Sequence, residues 1–472
     1  MSKQETEHDC DFVSDILDAS KVEFADGEIE RHSDDWATEG RLDVAPDVVV
    51  YPETTEDVSV LLEACNERGV PVTPYAAGTG LEGNAVPLEG GVSLDMTRMN
   101  DVIEARPDDF QVDVEPGIYG SVVNDEMERH GMFFPPLPSS GNISTIGGMV
   151  ANNAGGMQTV KYGKVGDWVD EIEVVLADGS VVEFGSKAKK SSSGYDMRNL
   201  LVGSEGTLGV VTRATLRLKG IPEQIRGGRA VFSNLDDAAD AVFDVVRSGV
   251  DVAKIELIDH ESAAMANDYL GTDLPDAPMC FVEFHANHGV EEEIDFARAI
   301  FKEHGVEEFE MGEDEEMHDL WEMRRELGVA VRSADPSLVP VHAGDIVVPI
   351  SEYPDTMKYI KEVADEYGIP IPCFGHAGDG NIHYLPLVEV DNDKAMRVGV
   401  EAYEKVVNHA LSVGGTCTGE HGIGVGKQKF MLREHSEASV EAMQAVKDAL
   451  DPNGILNPGK VFPGEETMEL LP

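Results

Sequence analysis

The chain has 472 residues and sets 90 acidic against 36 basic side chains, a formal net charge of −54. That length exceeds one ordinary core and implies two or more domains, and 42% hydrophobic residues is ample to fold them. The charge excludes nucleic acid and a non-specific anionic membrane surface as partners, because both require net positive patches.

Residues 1–45 read as a polar helical lead-in, and the start MSKQETEHDC lacks the charged-then-apolar pattern of a secretory signal. Residues 46–220 have the texture of strands and loops: DVVVYP (47–52), GVPVTPY (69–75), GVSLDM (91–96), QVDVEPG (111–117), EIEVVLADGS (171–180) and LGVVTRATLRLK (208–219). One clear helix interrupts them at TTEDVSVLLEACNERG (54–69), with Thr at its start and Gly at its end.

Within this region YAAGTGLEGN (75–84) has the Gly78-x-Gly80-x-x-Gly83 spacing of a dinucleotide fingerprint. Pro87, Gly90 and Gly91 follow where a Rossmann helix would begin, so the segment reads as strand–loop–strand. Its backbone N–H groups are still able to form a nest for a pyrophosphate, although a mobile surface loop explains it about as well alone. Two further stretches of tiny residues follow, PSSGNISTIGGMVANNAGG (138–156) and LLVGSEGTLGVVT (200–212). Residues this small let a chain lie against a large flat cofactor. KSSSGYDMRNL (190–200) reads as a loop.

A second region, 221–425, alternates helical stretches (SNLDDAADAVFDVVRSG, 233–249; VEEEIDFARAIFKEHG, 290–305) with strands (KIELID, 254–259; MCFVEFH, 279–285). This is the split β-α-β pattern of a ferredoxin-like domain. A helix follows at 313–332, and the segment 426–472 reads as a helix with a turn-rich tail.

The second region carries GHAGDGNIH (375–383), and TGEHGIG (418–424) follows some forty residues later. His376, His383 and Glu420 make a three-ligand set for a divalent metal with positions left open, and His421 beside them is a candidate base. Scattered histidines are more often surface or satisfied core residues, and this chain has 14. The surrounding glycines favour the metal, because they let backbone approach a ligand closely at an entropic cost. The five cysteines (10, 65, 280, 373, 417) contain no CxxC and fit a reducing compartment, with Cys373 and Cys417 as small buried fillers. No apolar run approaches a membrane span. The acidic residues run along the whole chain, which suits a high-salt cytoplasm where charge is screened; a merely acidic protein is the plainer alternative.

In order and spacing, AAGTGL, SSGNISTIGGMVANNAGG, LLVGSEGTLG, GHAGDGNIH, GEHGIG and NPGK resemble the FAD-linked 2-hydroxy-acid dehydrogenases of the vanillyl-alcohol-oxidase-type superfamily over residues 45–462. The group includes D-lactate dehydrogenase, the flavin subunit of glycolate oxidase and D-2-hydroxyglutarate dehydrogenase. The resemblance implies an α+β protein: a PCMH-type two-subdomain FAD-binding domain (46–220), a ferredoxin-like substrate cap (221–425) and a C-terminal segment (426–472) returning to the FAD domain. It implies a pyrophosphate loop at Ala77, Gly78, Thr79, Gly80 and Leu81, closed by Gly83 and Asn84. Flavin contacts are implied at Pro138, Ser139, Ser140, Gly141, Ile146, Gly147, Gly148, Asn152, Ala154 and Gly155, adenine-side contacts at Glu205, Gly206 and Val210, and a further contact at Asn457. Residues 71–84 hold no His or Cys, so the FAD is expected to be non-covalent.

The resemblance assigns the metal to His376, His383 and Glu420, with zinc expected and manganese or iron as alternatives. It assigns the base to His421 and the substrate carboxylate to Arg324, whose bland alternative is a salt bridge to Glu322 or Glu326. Where 2-hydroxyglutarate enzymes carry Lys and Thr, this chain has Ala343 and Gly328, which favours a monocarboxylate, though His342 is a partial substitute. The implied reaction is oxidation of a small D-2-hydroxy acid, D-lactate or glycolate. Electrons would pass to an external quinone, cytochrome, electron-transfer flavoprotein or iron–sulfur subunit. A cytoplasmic protein, peripheral at a membrane and homodimeric, completes the expectation.

Overall fold

The computed structural model describes residues 8–36 and 42–464, excepting the side chains of 313–316. The chain divides into two compact units. One comprises residues up to Ala154, Lys164–Ile221 and the chain from Glu420 onward; the other comprises Gly155–Gly163 and Pro222–Gly419. The sequence-based span 221–425 therefore differs from the compact unit at its end, where Glu420 and His421 fall on the side of the first unit.

Among the described residues the first unit holds one two-stranded ribbon, which pairs Met132–Phe133 with Lys219–Gly220, and two main sheets, of four and five strands. In the smaller, strand Val48–Val50 and strand Val72–Tyr75 run parallel to strand Val92–Asp95 between them. Helix Thr55–Arg68 makes the crossover. Thr54 and Asp57 form a capping box at its start, and Gly69 closes it in the left-handed conformation at φ 67°. Its inward face (Val58, Leu61, Leu62, Cys65) joins Val48, Val50, Val72, Val92 and Leu94 in one core. The lead-in is not purely helical: after helix Val13–Ile16 the pair Val22–Glu23 adds an antiparallel edge to Val49 and Val50. Part of the expected lead-in, residues 1–7 and 37–41, lies outside the described residues.

The larger sheet is antiparallel and five-stranded, with strand Val210–Arg217 at its centre between Gln111–Val114 and Val169–Val175. Val112, Val114, Ile172, Val174, Ala214 and Leu216 form its core with the short helix Ile146–Asn152. That helix lies inside the second glycine-rich stretch, where the density of Gly and Asn conceals it. Met197–Leu201 is likewise helical where a loop was expected.

In the second unit, strand Gln224–Val231, helix Leu235–Arg247, strand Val252–Ile258, helix His260–Leu270, strand Met279–Ala286, helix Val290–Glu303 and strand Glu308–Glu313 follow in order. Counting these strands one to four, they stand in spatial order four-one-three-two, the ferredoxin-like arrangement. The sheet then continues through Cys373–Gly375, Asn381–Tyr384 and Gly344–Val347. Helix Asp314–Ser333 contributes Trp321, Met323, Leu327 and Val331 to a core with Phe281 and Ile258.

Candidate active site

In the first unit the sequence motifs meet one another. Strand Val72–Tyr75 delivers the first loop, whose Gly78 has φ 64°, a value costly for any residue with a Cβ. The Thr79 hydroxyl lies 3.1 Å from that of Ser144, which in turn lies 2.8 Å from that of Ser140. This chain of hydroxyls ties the first loop to the second stretch. Ile146, Gly147 and Gly148 open the helix that Thr145 caps through Gly148 N–H at 3.2 Å. A Cβ on Gly147 would meet Pro116 at 2.7 Å, whereas one on Gly148 would meet only the Thr145 hydroxyl, at 3.4 Å. The two glycines thus differ: Gly147 packs against Pro116, whereas Gly148 is exposed.

Glu205 stands in the left-handed region at φ 53° and is buried. Its carboxylate accepts Asn84 Nδ2 at 2.5 Å and the N–H groups of Ile423 and Gly424, both at 2.7 Å. Burial pushes its pKa up against these donors. The expected adenine-side residue therefore spends its carboxylate on protein groups. Asn457, also left-handed at φ 42°, donates to the carbonyls of Asn84 (2.9 Å) and Glu205 (2.7 Å). The carbonyl of His421 accepts Asn152 Nδ2 at 3.2 Å and Asn84 Nδ2 at 3.4 Å. Gly206 lies against Pro74, 2.9 Å from a would-be Cβ, and Val210 begins the central strand. Gly83, Gly141 and Ala154 are buried, while Ala77, Leu81, Pro138 and Ser139 are partly exposed. Lys460, fully buried beside Asn457 at 3.1 Å, has its pKa pushed down to about 8 by desolvation.

In the second unit, strand register sets Asp345 directly opposite His383 and Phe374 beside it. His383 Nδ1 lies 3.8 Å from Asp345, and its ring meets that of His376 edge-on at 5.1 Å. His376 Nδ1 contacts both carboxylate oxygens of Glu256, at 2.8 and 3.0 Å. The Arg324 guanidinium reaches the same carboxylate at 2.5 Å and lies 5.2 Å over the Phe374 ring. Glu256 is fully buried and Arg324 only 2% exposed, so Arg324 is no surface salt bridge; its neighbour Arg325 is the one near Glu322, at 3.9 Å. Burial opposes ionisation of Glu256, yet Arg324 and His376 outweigh it and hold the carboxyl below its ordinary range. The Nε of Arg324 is buried without a hydrogen-bond partner among the described residues, a donor suited to an anionic ligand.

Asp345 also accepts Asn381 Nδ2 at 2.8 Å, the Thr418 hydroxyl at 3.0 Å and Gly419 N–H at 2.8 Å. Gly419 immediately precedes Glu420, so Asp345 anchors the chain one residue before that ligand candidate. Gly155 lies in the short segment that belongs to this unit. His342 stacks on Tyr403 at 5.0 Å, and a Cβ at Gly328 would meet nothing within 4 Å. Cys373 and Cys417 are buried, and desolvation pushes the Cys373 thiol well up.

Sequence reading passed over Glu256, Asn381 and Glu82. The available signal for Glu256 was KIELID, a carboxylate flanked by apolar residues in a strand whose every residue is buried. For Glu82 it was a negative charge within a loop expected to cradle phosphates.

Residues 46–185 match the family described as FAD binding domain, and residues 221–461 match FAD linked oxidases, C-terminal domain. The probable mitochondrial D-lactate dehydrogenase of Danio rerio is 36% identical over 88% of this chain and 84% of its own length. The mitochondrial D-lactate dehydrogenase (cytochrome) of Arabidopsis thaliana is 37% identical over 89% and 74%, and the glycolate oxidase subunit GlcD of Bacillus subtilis 36% over 88% and 89%. Among solved structures, p-cresol methylhydroxylase with substrate bound aligns over 95% of each chain at TM-score 0.77 and 18% identity, a likeness of fold alone. Among the described residues no helix is long and apolar enough to cross a membrane. With matched domains spanning most of its length and relatives this similar, the chain belongs to the FAD-linked oxidases, as an oxidoreductase of the D-lactate dehydrogenase and GlcD type on the p-cresol methylhydroxylase fold.

Proposed function

We propose that the chain oxidises a small D-2-hydroxy acid, D-lactate in the first instance, to the 2-oxo acid and passes the electrons to an acceptor other than NAD. The observation that carries this reading is the buried His376–Glu256–Arg324 cluster, which sets an imidazole and a guanidinium around one carboxylate. Arg324 binds the substrate carboxylate, since its planar fork suits two oxygens and Glu256 holds that fork in place. His376, His383 and Glu420 are the residues to hold a divalent metal, zinc before manganese or iron. Glu256 at His376 Nδ1 leaves Nε2 as the donor atom. When bound, FAD supplies the acceptor for the hydride at C2 and the metal supplies a Lewis acid. His421 accepts the proton of the C2 hydroxyl, a task suited to an imidazole near neutral pH. The absence of His and Cys from residues 71–84 supports non-covalent FAD.

Open space at Gly328 and the small side chain of Ala343 support a monocarboxylate. Glycolate as substrate, with a partner iron–sulfur subunit, is the second reading; the GlcD-type relative supports it. A cytochrome or quinone acceptor, a homodimer and a salt-rich cytoplasm belong to the same proposal.

The test is anaerobic mixing of the purified holoprotein, in molar KCl, with D-lactate, L-lactate, glycolate and D-2-hydroxyglutarate while oxidised-flavin absorbance is followed. Bleaching by D-lactate, abolished by chelation or by His421→Ala, is the expected result. Bleaching by glycolate alone transfers the reading to the oxidase subunit, and an inert flavin with all four overturns it.

A further inference from the structure

The loop that carries His421 is clamped at several points within the first unit. The backbone carbonyl of Glu82 accepts Val425 N–H at 2.7 Å and Gly426 N–H at 3.2 Å. Glu205 holds Ile423 and Gly424 N–H, and Asn152 and Asn84 hold the carbonyl of His421 itself. Glycine is required for this approach. A Cβ on Gly424 (φ 47°) would lie 2.8 Å from the carbonyl carbon of Glu82, and one on Gly422 (φ 81°) 2.9 Å from Asn84 Nδ2.

Beyond this clamped backbone, the Glu82 side chain lies beside the His421 imidazole. Glu82 is 0% exposed, and its Oε1 lies 2.8 Å from Nζ of the equally buried Lys427 and 3.7 Å from Nδ1 of His421. A buried carboxylate is expensive unless paired, and Lys427 compensates it. Apolar residues of similar volume often replace a buried ion pair without loss of stability, so the pair invites a use beyond stability.

We propose that Glu82 is a positioning residue for His421. Its carboxylate, charge-compensated by Lys427, faces Nδ1, keeps a proton on that nitrogen and turns Nε2, with its lone pair, toward the substrate hydroxyl. This rests on the reading of His421 as base. The arrangement has the logic of a carboxylate that fixes a histidine's tautomer and orientation without taking the proton itself. Because the first loop supplies Glu82, the segment assigned to the pyrophosphate also orders the base.

Two measurements test this separately. In the protein labelled with nitrogen-15 histidine, the His421 ring is expected to show the Nδ1–H tautomer; the Nε2–H tautomer in the unaltered protein overturns the proposal whatever the substrate. The charge-balanced double variant Glu82→Gln with Lys427→Met is then compared by anaerobic flavin reduction. The expected result is a rate of reduction about 10–100-fold lower, the range for losing a residue that orients a functional histidine, with flavin content and substrate affinity kept. A parental rate, or loss of flavin in place of loss of rate, overturns the positioning role. Glu82→Asp, which keeps the charge, is expected to recover part of the rate even if the double variant folds poorly, and failure of Glu82→Asp to exceed Glu82→Gln counts against the proposal. If no hydroxy acid reduces even the parent, the substrate reading has failed, and the tautomer still decides the role of Glu82.

Discussion

Replacing Glu256 by Gln isolates the charge at the centre of the second unit's cluster. Gln retains an oxygen for His376 Nδ1, now at 2.8 Å from a carboxylate oxygen, but removes the counter-ion that Arg324 meets at 2.5 Å. Arg324 is 2% exposed, so water cannot replace that partner. Breaking a buried pair by removing one member costs about 3–5 kcal/mol, and the retained hydrogen bond places Gln near the lower figure. With a urea m-value of about 3 kcal/mol/M, a loss of about 3 kcal/mol lowers the unfolding midpoint by about 1 M. A second effect is separate from stability. On the proposed reading of His376 as a metal ligand, a carboxylate behind it contributes about 10–100-fold in metal affinity, so Glu256→Gln is expected to weaken zinc binding by roughly that factor. Urea unfolding followed by tryptophan fluorescence, and zinc titration against a competing chelator, read the two effects. A variant with parental midpoint and parental zinc affinity would refute the argument that one carboxylate supports both His376 and Arg324.

Three further outcomes follow from the geometry. Gly378→Ala places a Cβ 2.5 Å from Ile255 Cγ2 and 2.7 Å from Val160 Cγ2, so the turn after His376 must shift. The variant is expected to lose about 1–3 kcal/mol in denaturant unfolding, and a parental unfolding curve would show that the turn yields freely. Burial opposes ionisation of Glu283, but Lys254 and His285, each at 2.7 Å, bring its pKa from 4.5 down to about 2. With the folded value depressed, its stabilisation is complete above pH about 4.5 and fades as pH falls toward 2; Glu283→Gln should flatten that part of the stability–pH curve, and an unchanged acid limb would contradict the assignment. With a net charge of −54, thermal stability is expected to rise with molar KCl; melting that is unaffected by salt, or easier in it, would remove the salt-rich-cytoplasm reading.

Motif residues and local signals were legible because each is decided by a short stretch of chain. Thr54 and Gly69 announce their helix through caps that span single turns. The three glycine-rich segments, GHAGDGNIH and GEHGIG announce close backbone approach, since no other residue type tolerates it at such density. The alternation of strands and helices from 224 to 313 was enough to indicate the ferredoxin-like pattern, although not the three strands that extend it. The lead-in and the second glycine stretch misled in opposite directions. Two residues paired as an edge strand in one, and a seven-residue helix formed among glycines in the other, because tertiary packing overrode weak local preference.

What only the tertiary structure decided is how each reactive group is held. Arg324 looked equally able to bind Glu322 or Glu326 along its own helix; burial against the central strand turns it to Glu256 instead. Glu256 meets His376 across 120 positions of chain, Glu205 meets Gly424 across 219 and Asn457 meets Glu205 across 252. Such pairings arise because a buried charge or amide must find its partner wherever folding brings one, irrespective of sequence distance. The chain's sequence by itself therefore determined which chemistry-bearing groups are present and where the backbone is free to approach a ligand. The packed sheets determined which carboxylate meets His376 Nδ1, which one stands 3.7 Å from His421 Nδ1 and why Arg324 is buried, because those depend on neighbours that no local pattern specifies.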